Sequence, residues 1–363
     1  MAIVKLVLAF ILSLGQFLNP FFTFFFHDGI DNYYEEWTPG MNYTEDYAFT
    51  LEKDPNKDFV VLNFADVQLS ANEVYGEKGR IAEATIKKAI EEVKPDLITL
   101  TGDNAWCKSG YMRLVKFIDS FDIPWAPVMG NHDGDNGKKI YENWCAYQIF
   151  DCENSIFKFG PEGMGVGNYI INITENGKII HSIYMLDSHT DTSLECGGYD
   201  HLWDNQLRWY KWAVKGTNKL AGKNVESSIF FHIPCIQYRS AWNEAKYNEE
   251  TGKYDNPLYA DSFGYNTEWI CSPDYDSGFF ALVKELGSTK NIIAGHDHIN
   301  CSSIMYQGVR LSYSLKCGPG CYWDETMNGG STLTIGSDGH ATFAHHFVDP
   351  NALGDYNQKL IIK

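Results

Sequence analysis

The stretch DFVVLNFADVQ, residues 58–68, is an apolar run that ends at a carboxylate and an amide. The same pattern returns in LITLTGD, residues 97–103, and in PWAPVMGNHD, residues 124–133. Short runs of β-branched, leucine and aromatic residues predict buried strands, and the polar residues after them predict loops. Helix-forming segments lie between the runs, at Glu77–Val93 and Tyr111–Phe121. This alternation predicts an α/β fold, in which loops at the carboxyl ends of strands form the ligand site.

The second half of the chain predicts more strands than helices. One predicted hairpin turns at Asn176-Gly177, a strong hairpin sequence, and another turns at Ser337-Asp338-Gly339. The predicted strands of this half are Tyr169–Thr174, Ile179–Leu186, Ser228–Phe231, Asn291–Ala294, Ser331–Ile335 and Ala341–Phe347. We expect a single main domain over residues 51–350, preceded by a polar and aromatic lead-in over residues 27–50.

Composition and charge restrict the classes of function. The chain has 363 residues, of which 44% are hydrophobic and 21% are charged, as in ordinary globular domains. Its formal net charge is −18. An acidic surface repels the phosphate backbone of nucleic acids, whose binding relies on lysine and arginine. We therefore expect no nucleic-acid partner.

Residues 1–26 predict a targeting segment. Lys5 is followed by a run without charged residues from Leu6 to Phe26, close to the ~20 residues that a membrane span needs. The first half of this run also fits the apolar region of a signal peptide. A cleaved signal peptide and an uncleaved signal-anchor both fit, and a buried core helix is the third alternative. Either of the first two predicts a secreted or membrane-anchored protein whose main domain lies outside the cytosol.

The cysteines and glycosylation sequences agree with that location. Nine cysteines fit a compartment in which disulfides persist. Cys145 with Cys152, and Cys317 with Cys321, are close enough in sequence to form local pairs, and the odd count leaves at least one thiol unpaired. The acceptor sequences for N-glycosylation begin at Asn42, Asn172 and Asn300.

Polar motifs after the apolar runs carry the residue types of a dinuclear metal site. Two cations about 3.5–4 Å apart need a bridging carboxylate and further oxygen and nitrogen ligands. Alternation along an extended segment places His296 and His298 on the same side. Each motif alone is more typical of a turn or a solvated loop, and their common position after apolar runs favours one site. In chain order the motifs are Asp66-Val-Gln68, Gly102-Asp103, Gly130-Asn131-His132-Asp133, His232-Ile-Pro234 and Gly295-His296-Asp297-His298.

This order of motifs resembles the calcineurin-like metallophosphoesterase superfamily over about residues 58–300. Phe231–Pro234, Asp276–Phe280 and Gly295–Asn300 resemble the branch that is related to purple acid phosphatases but lacks their tyrosine iron ligand. Trp106 stands at the place where the purple enzymes have that tyrosine. The resemblance implies a four-layer sandwich, with two central mixed β-sheets flanked by helices.

The resemblance also implies roles for the motif residues. Asp66 and His298 would bind the first metal, and Asp103 would bridge both metals. His132 would face the phosphate as general acid or electrostatic stabiliser, with Asp133 orienting its ring. The implied ligands of the second metal are Asn131, His232 and His296. The implied cofactors are two divalent or trivalent metal ions, with Mn, Fe, Zn and Mg all open.

Gln68 departs from the family pattern, which has histidine at this position. As a ligand, its amide oxygen would bind the first metal more weakly than imidazole and favour Mn or Mg. The alternative is that Gln68 only forms hydrogen bonds beside the site.

The function that the resemblance implies is metal-dependent hydrolysis of phosphate esters by a metal-bridging hydroxide, with His132 assisting. The substrate would be a phosphorylated small molecule or protein. A phosphodiesterase rather than a phosphomonoesterase, and a degenerate homologue that binds metal or phosphate without turnover, remain open.

Overall fold

The computed structural model describes residues 33–70, 76–134 and 139–354 of the chain. Two large β-sheets and the helices packed against them form the framework of the described chain, and Tyr247–Asn248 pairs with Lys253–Tyr254 in a separate short hairpin. The strands, in chain order, are β1 (Ala48–Glu52), β2 (Phe59–Phe64), β3 (Leu97–Thr101), β4 (Trp125–Val128), β5 (Tyr169–Glu175), β6 (Lys178–Met185), β7 (Glu226–Phe230), β8 (Tyr247–Asn248), β9 (Lys253–Tyr254), β10 (Thr289–Ala294), β11 (Ser303–Tyr306), β12 (Val309–Tyr313), β13 (Gly329–Ile335) and β14 (Ala341–Phe347). The helices are α1 (Glu77–Val93), α2 (Lys108–Asp119), α3 (Lys139–Phe150), α4 (Asp204–Ala221), α5 (Gln237–Ala245) and α6 (Phe279–Leu286).

Helix α1 shows how local sequence determines these elements. Its buried residues Ala82, Ile86 and Ala89 recur at helical spacing and turn one face towards the core. The helix ends at Lys94, which adopts a left-handed conformation and donates its backbone N–H to the Ile90 carbonyl oxygen. Pro95 follows, and a residue before proline is disfavoured in a helix. The predicted bounds of α1 and β3 are therefore confirmed.

The five-stranded sheet has the order β14-β13-β2-β3-β4. Strands β2, β3 and β4 run parallel, and β13 pairs antiparallel with both β2 and β14. The carboxyl ends of three parallel neighbours meet at one edge of a sheet. The loops that begin at Ala65, Gly102 and Met129 therefore lie side by side.

The seven-stranded sheet has the order β1-β5-β6-β7-β10-β12-β11. Strands β6, β7, β10 and β12 are parallel, whereas β5 with β6 and β11 with β12 form antiparallel pairs. Both sheets are thus mixed. The neighbouring ends of β7 and β10 place His232 and the His296–His298 loop together.

The seven-stranded sheet separates two apolar cores. Ile183, Phe230 and Ile293 pack into the core that contains the five-stranded sheet and helices α1–α3. Their sequence neighbours, among them Tyr184 and Ile229, pack on the opposite face with helices α4–α6. Successive strand residues point to opposite faces, so the sheets lie face to face between two helical layers. The predicted α/β fold is confirmed.

The amino-terminal part differs from the predicted lead-in. Residues Ala48–Glu52 form β1, which pairs with β5 across the predicted boundary at residue 51. Tyr33 and Tyr34 pack against Phe159. The predicted targeting segment, residues 1–26, lies outside the described residues. Within the described ranges, no helix is long and apolar enough to cross a membrane.

The cysteines differ from the sequence-based pairing. All nine lie in the described part of the chain, and none of them forms a disulfide there. The Cys145 thiol donates to the Asp133 carbonyl oxygen, and the Cys317 thiol donates to that of Ala82. Cys145 with Cys152, and Cys317 with Cys321, therefore do not form local disulfides in this structure, although they are close in sequence.

Candidate metal centre

The predicted site residues lie on sharp turns immediately after the strands. Asp66, Gln68, Asp103 and His296 have positive φ angles of 54°, 48°, 49° and 77°. Such values are uncommon for residues other than glycine, and strained backbone of this kind concentrates at functional sites. The four residues come from three different loops, so the strain is a shared property of this end of the two sheets.

Two glycines allow the loops to approach each other. A Cβ atom on Gly130 would lie 2.1 Å from the backbone nitrogen of Asp103. A Cβ atom on Gly295 would lie 2.7 Å from Oδ2 of Asp66. Neither distance is compatible with a side chain, so glycine is required for the carboxylates to reach the centre.

One group of acceptor atoms surrounds Nε2 of His232. This atom lies 2.9 Å from Oδ1 of Asn131, 3.2 Å from Nδ1 of His296 and 3.3 Å from Oδ1 of Asp103. Nδ1 of His232 donates to the Thr101 carbonyl oxygen at 2.8 Å, so in the neutral ring Nε2 carries the lone pair. Two oxygens and two ring nitrogens that face one another fit a bound cation.

A second group of acceptor atoms lies beside the first. Nδ1 of His298 donates to the Tyr322 carbonyl oxygen at 3.0 Å, which leaves its Nε2 facing Oδ1 of Asp66 at 3.5 Å. Oδ1 of Asp66 is buried and has no hydrogen-bond partner among the described residues. Ligand atoms of Asp66, Asp103 and His298 lie within 4.8 Å of one another. Burial of an unpartnered carboxylate oxygen is costly, and a cation at this place would remove the cost.

The protonation states of the centre suit metal binding. Burial alone would raise the pKa of Asp66, but the neighbouring His298 and the charges of His232 and Lys316 hold it well below its ordinary range. Burial, and then the charge of His232, lower the pKa of His296 well below its ordinary value. An ionised carboxylate and a neutral imidazole are the forms that bind metals. Burial would likewise lower the pKa of His232, but Asp103 and Asp66 raise it.

Gln68 lies between Asp103 and a buried lysine. Its Nε2 donates to Oδ2 of Asp103 at 2.9 Å, and its Oε1 accepts from Nζ of Lys316 at 2.9 Å. Lys316 also donates to the Asp66 carbonyl oxygen at 2.5 Å. Lys316 lies three residues after the end of β12, a strand that was not predicted from the sequence. Sequence reasoning missed it because a cation is the opposite of a metal ligand.

His132 and Asp133 have different surroundings. The backbone N–H of His132 donates to Oδ1 of Asp103 at 2.9 Å, and its half-buried ring packs 4.5 Å from the ring of Trp106. The Asp133 carboxylate accepts from the backbone N–H groups of Gly130 and Asn104 and from the Asn104 amide, each at 2.8 Å. Asp133 therefore ties the two loops together. None of these three hydrogen bonds joins the Asp133 carboxylate to the His132 ring, which the resemblance implied that Asp133 orients. A part for Asp133 in catalysis stays a prediction.

Two tyrosines contact the predicted histidine ligands and were not predicted. The ring of Tyr322 stacks on His298 at 4.2 Å, and Tyr199 meets His296 edge-on at 4.4 Å. Neither tyrosine follows a strand in a motif, so only the folded chain shows them beside the site. The structure brings together, at the joined ends of the two sheets, Asp66, Gln68, Asp103, Asn131, His132, Asp133, His232, His296 and His298.

Comparison with known proteins gives matches across the same region. Residues 59–300 match the family described as calcineurin-like phosphoesterase. The chain is 28% identical over 262 residues to "Probable inactive purple acid phosphatase 14" of Arabidopsis thaliana, covering 64% of this chain and 61% of that protein. It is 29% identical over 236 residues to "Phosphatase DCR2" of Saccharomyces cerevisiae, covering 60% of this chain and 38% of that protein. These matches span less than two thirds of either relative.

A solved structure has the same fold. The crystal structure of a dimetal phosphatase from Danio rerio superposes with a TM-score of 0.52 and 12% identity, over 77% of this chain and 94% of that chain. At this identity the likeness concerns the fold alone.

Proposed function

Because the chain belongs to the calcineurin-like phosphoesterase family, whose match covers residues 59–300, we propose that it hydrolyses phosphate esters with the help of two metal ions. The observation that carries the proposal is the pair of adjacent acceptor groups around His232 Nε2 and Asp66 Oδ1. Each joins carboxylate oxygen and imidazole nitrogen in a buried place. Two such groups that share Asp103 fit a dinuclear centre.

The two acceptor groups support a proposed set of ligands for each metal. Asp66, Asp103 and His298 would hold the first ion. The second ion would be held by Asp103, Asn131, His232 and His296. When bound, two such ions supply positive charge that polarises phosphoryl oxygens and lowers the pKa of water. Their identity among Mn, Fe, Zn and Mg is open.

We propose that His132 acts on the phosphate group. Its backbone is bound to Asp103, and Trp106 packs against its ring. These contacts restrict where the ring can point. The ring itself belongs to neither group of metal ligands. An imidazole held beside a phosphate ester donates a proton to the leaving oxygen or stabilises the developing negative charge. A general acid of this kind typically accelerates the reaction by about 10²–10⁴-fold.

His132→Ala tests this role. We expect kcat to fall by about 10²-fold or more, with the metal content unchanged because the ring is not a ligand. The measurement is steady-state turnover together with metal analysis of the same sample. His340→Ala is the matched control, since His340 is exposed and paired with Glu226 at the start of β7, at the opposite end of the strand from His232. Unchanged turnover in His132→Ala would remove His132 from the mechanism.

A non-catalytic homologue is the second candidate. Two observations favour it: Gln68 is bound to Lys316 where the family pattern has histidine, and one relative is named as probably inactive. Turnover of p-nitrophenyl phosphate and of its bis-ester, with added Mn, Zn or Mg, separates the candidates. Turnover of the first ester identifies a phosphomonoesterase, and turnover of the second a phosphodiesterase. Metal binding without turnover of either identifies the non-catalytic homologue.

We also propose that the protein works outside the cytosol on a phosphorylated small molecule or protein. The apolar run from Leu6 to Phe26 supports this location, and the net charge of −18 argues against nucleic-acid substrates. Amino-terminal sequencing and membrane fractionation of the mature protein test it. A soluble cytosolic protein that retains Met1 would contradict the proposal.

A further inference from the structure

Lys316 is a buried cation inside the candidate metal centre. Its side chain is 2% exposed, and its Nζ donates to the Asp66 carbonyl oxygen and to Oε1 of Gln68. Burial of an unpaired ammonium is strongly unfavourable. The acidic groups around it are Asp66 and Asp103, the same carboxylates that would hold the first metal. Lys316 and a metal ion therefore share the same negative charges.

Lys316 also determines which way the Gln68 amide points. An ammonium only donates hydrogen bonds and an ionised carboxylate only accepts them. With Lys316 on one side and Asp103 on the other, the amide must present its oxygen to Lys316 and its NH₂ group to Asp103. The reverse orientation would place two donors together and two acceptors together. The single oxygen that could bind a metal thus faces Lys316.

The backbone holds Lys316 in this position. Lys316 forms a parallel bridge with Ala65, and the N–H of Cys317 donates to the Ala65 carbonyl oxygen. Gly320 packs so closely that a Cβ atom there would lie 2.6 Å from the Gln68 carbonyl oxygen. We name residues Lys316–Tyr322 the lysine segment. It begins at the Gln68 pair and ends at Tyr322, which stacks on His298.

From these contacts we propose that Lys316, acting through Gln68, is a positioning residue that makes the two metal positions unequal. The first position, at Asp66, Asp103 and His298, has three protein ligands, and Nζ of Lys316 lies beside it. The second position has four protein ligands and lies on the His232 side of Asp103, away from the Gln68 amide. The second position therefore fills first, and the first position binds its ion reversibly. The inference rests on the metal-binding part of the proposed function and does not require turnover.

The test is a metal titration of the full chain after removal of metals with a chelator. Calorimetry with Mn²⁺, and separately with Zn²⁺, gives the number of sites and their affinities, and elemental analysis after dialysis gives the occupancy. The wild-type protein should show two classes of site that differ by about tenfold or more, since one added charge at close range has an effect of at least this size. Activity is not needed for either readout.

Two substitutions of Lys316 and one control complete the experiment. Lys316→Met removes the charge and the hydrogen bonds, whereas Lys316→Gln removes the charge and keeps a donor for the Asp66 carbonyl oxygen. Both should tighten the weak site by about tenfold and leave the tight site within about threefold. Lys53→Met is the control, because Lys53 is equally buried at 1% exposure but binds Glu175 and Ser337. If Lys316→Met does not fold, Lys316→Gln decides.

The outcomes separate this inference from the proposed function. Equal affinities in the wild-type protein, or no tightening in Lys316→Gln, would overturn the inference even if phosphate esters are hydrolysed. Unequal sites that become similar in Lys316→Gln would support it even if no ester is hydrolysed. A change of the same size in Lys53→Met would also overturn it, since the effect would then follow from loss of any buried lysine.

Discussion

Individual residues at the centre hold conformations that cost free energy. Left-handed backbone at Asp66, Gln68, Asp103 and His296 costs on the order of 1–3 kcal/mol per residue. The surrounding contacts must compensate for this cost, and many of them are backbone hydrogen bonds between loops. Asp66 donates its N–H to the Gly102 carbonyl oxygen, and Gln68 donates its N–H to that of Asp103. The centre is therefore sensitive to small changes in loop packing.

Gly130→Ala is a prediction at this scale. The added methyl group would lie 2.1 Å from the Asp103 backbone nitrogen, so the two loops must separate. We expect the free energy of unfolding to fall by about 2 kcal/mol or more, and metal binding to weaken because Asp103 moves. Urea unfolding and metal titration measure the two effects. Gly40→Ala is the control, since nothing lies within 4 Å of a Cβ atom there; equal losses in both variants would contradict the steric account.

The residues of the site were predictable to different degrees. Asp66, Asp103 and His232 directly follow apolar strands, and parallel strands bring such positions together, so sequence alone places them at one edge. Lys316 and Tyr322 were not predictable. Their approach to Gln68 and His298 depends on how the lysine segment returns across the ends of both sheets. Nothing local in the sequence determines that path.

At the scale of elements, strand β6 carries a buried histidine that connects three parts of the fold. Nδ1 of His181 donates to the carbonyl oxygen of Gly339, in the turn between β13 and β14. The hydroxyl of Ser228, on β7, lies 3.0 Å from its Nε2 and donates to it in the neutral ring. Burial lowers the pKa of His181 to about 4 from an ordinary value of 6.5. A proton at Nε2 would remove the bond from Ser228.

The stability of the protein should therefore fall in acid. Below its ordinary pKa of 6.5, His181 takes up a proton in the unfolded chain, whereas in the folded chain it stays neutral until about pH 4. Linkage then lowers the free energy of unfolding by about 2 kcal/mol between pH 7 and pH 5. Urea unfolding at the two pH values measures this loss. His181→Gln should remove about that much of the pH dependence; a pH dependence that His181→Gln does not alter would contradict the assignment.

Elements were predictable where their pattern is local. The bounds of α1 and β3 follow from helical spacing, a proline stop and a short apolar run. Strand β1 was not predicted, because its side chains are only partly buried and alternation is weak. It becomes a strand by pairing with β5, more than a hundred residues later. Strands β11 and β12 likewise turn at Gln307-Gly308, a hairpin that sequence reasoning missed.

For the whole molecule, the candidate metal centre joins the two sheets. Asp66, Asp103 and Asn131 follow strands of the five-stranded sheet, whereas His232 and His296 follow strands of the seven-stranded sheet. An ion bound by both sets would therefore favour the packed arrangement of the sheets over the unfolded chain. The centre should contribute to stability as well as to chemistry.

Metal binding should raise the melting temperature. An ion that binds only the folded state stabilises it by about 2.7 kcal/mol at a hundred times its dissociation constant. We expect Tm to rise with added Mn²⁺ or Zn²⁺ and to fall after chelation, as measured by differential scanning calorimetry. His232→Ala should abolish most of the rise because it removes a ligand contributed by the seven-stranded sheet. A rise of equal size in His232→Ala would show that the ions stabilise the protein elsewhere.

The position of β2 has a consequence for the synthesis of the protein. One neighbour of β2 is β3, made shortly afterwards, but the other is β13, which spans Gly329–Ile335 near the other end of the chain. While the ribosome is still translating the intervening residues, one edge of β2 has no partner, and unpaired edges of apolar strands promote aggregation. A nascent chain of this protein should therefore depend on a chaperone until translation passes β13.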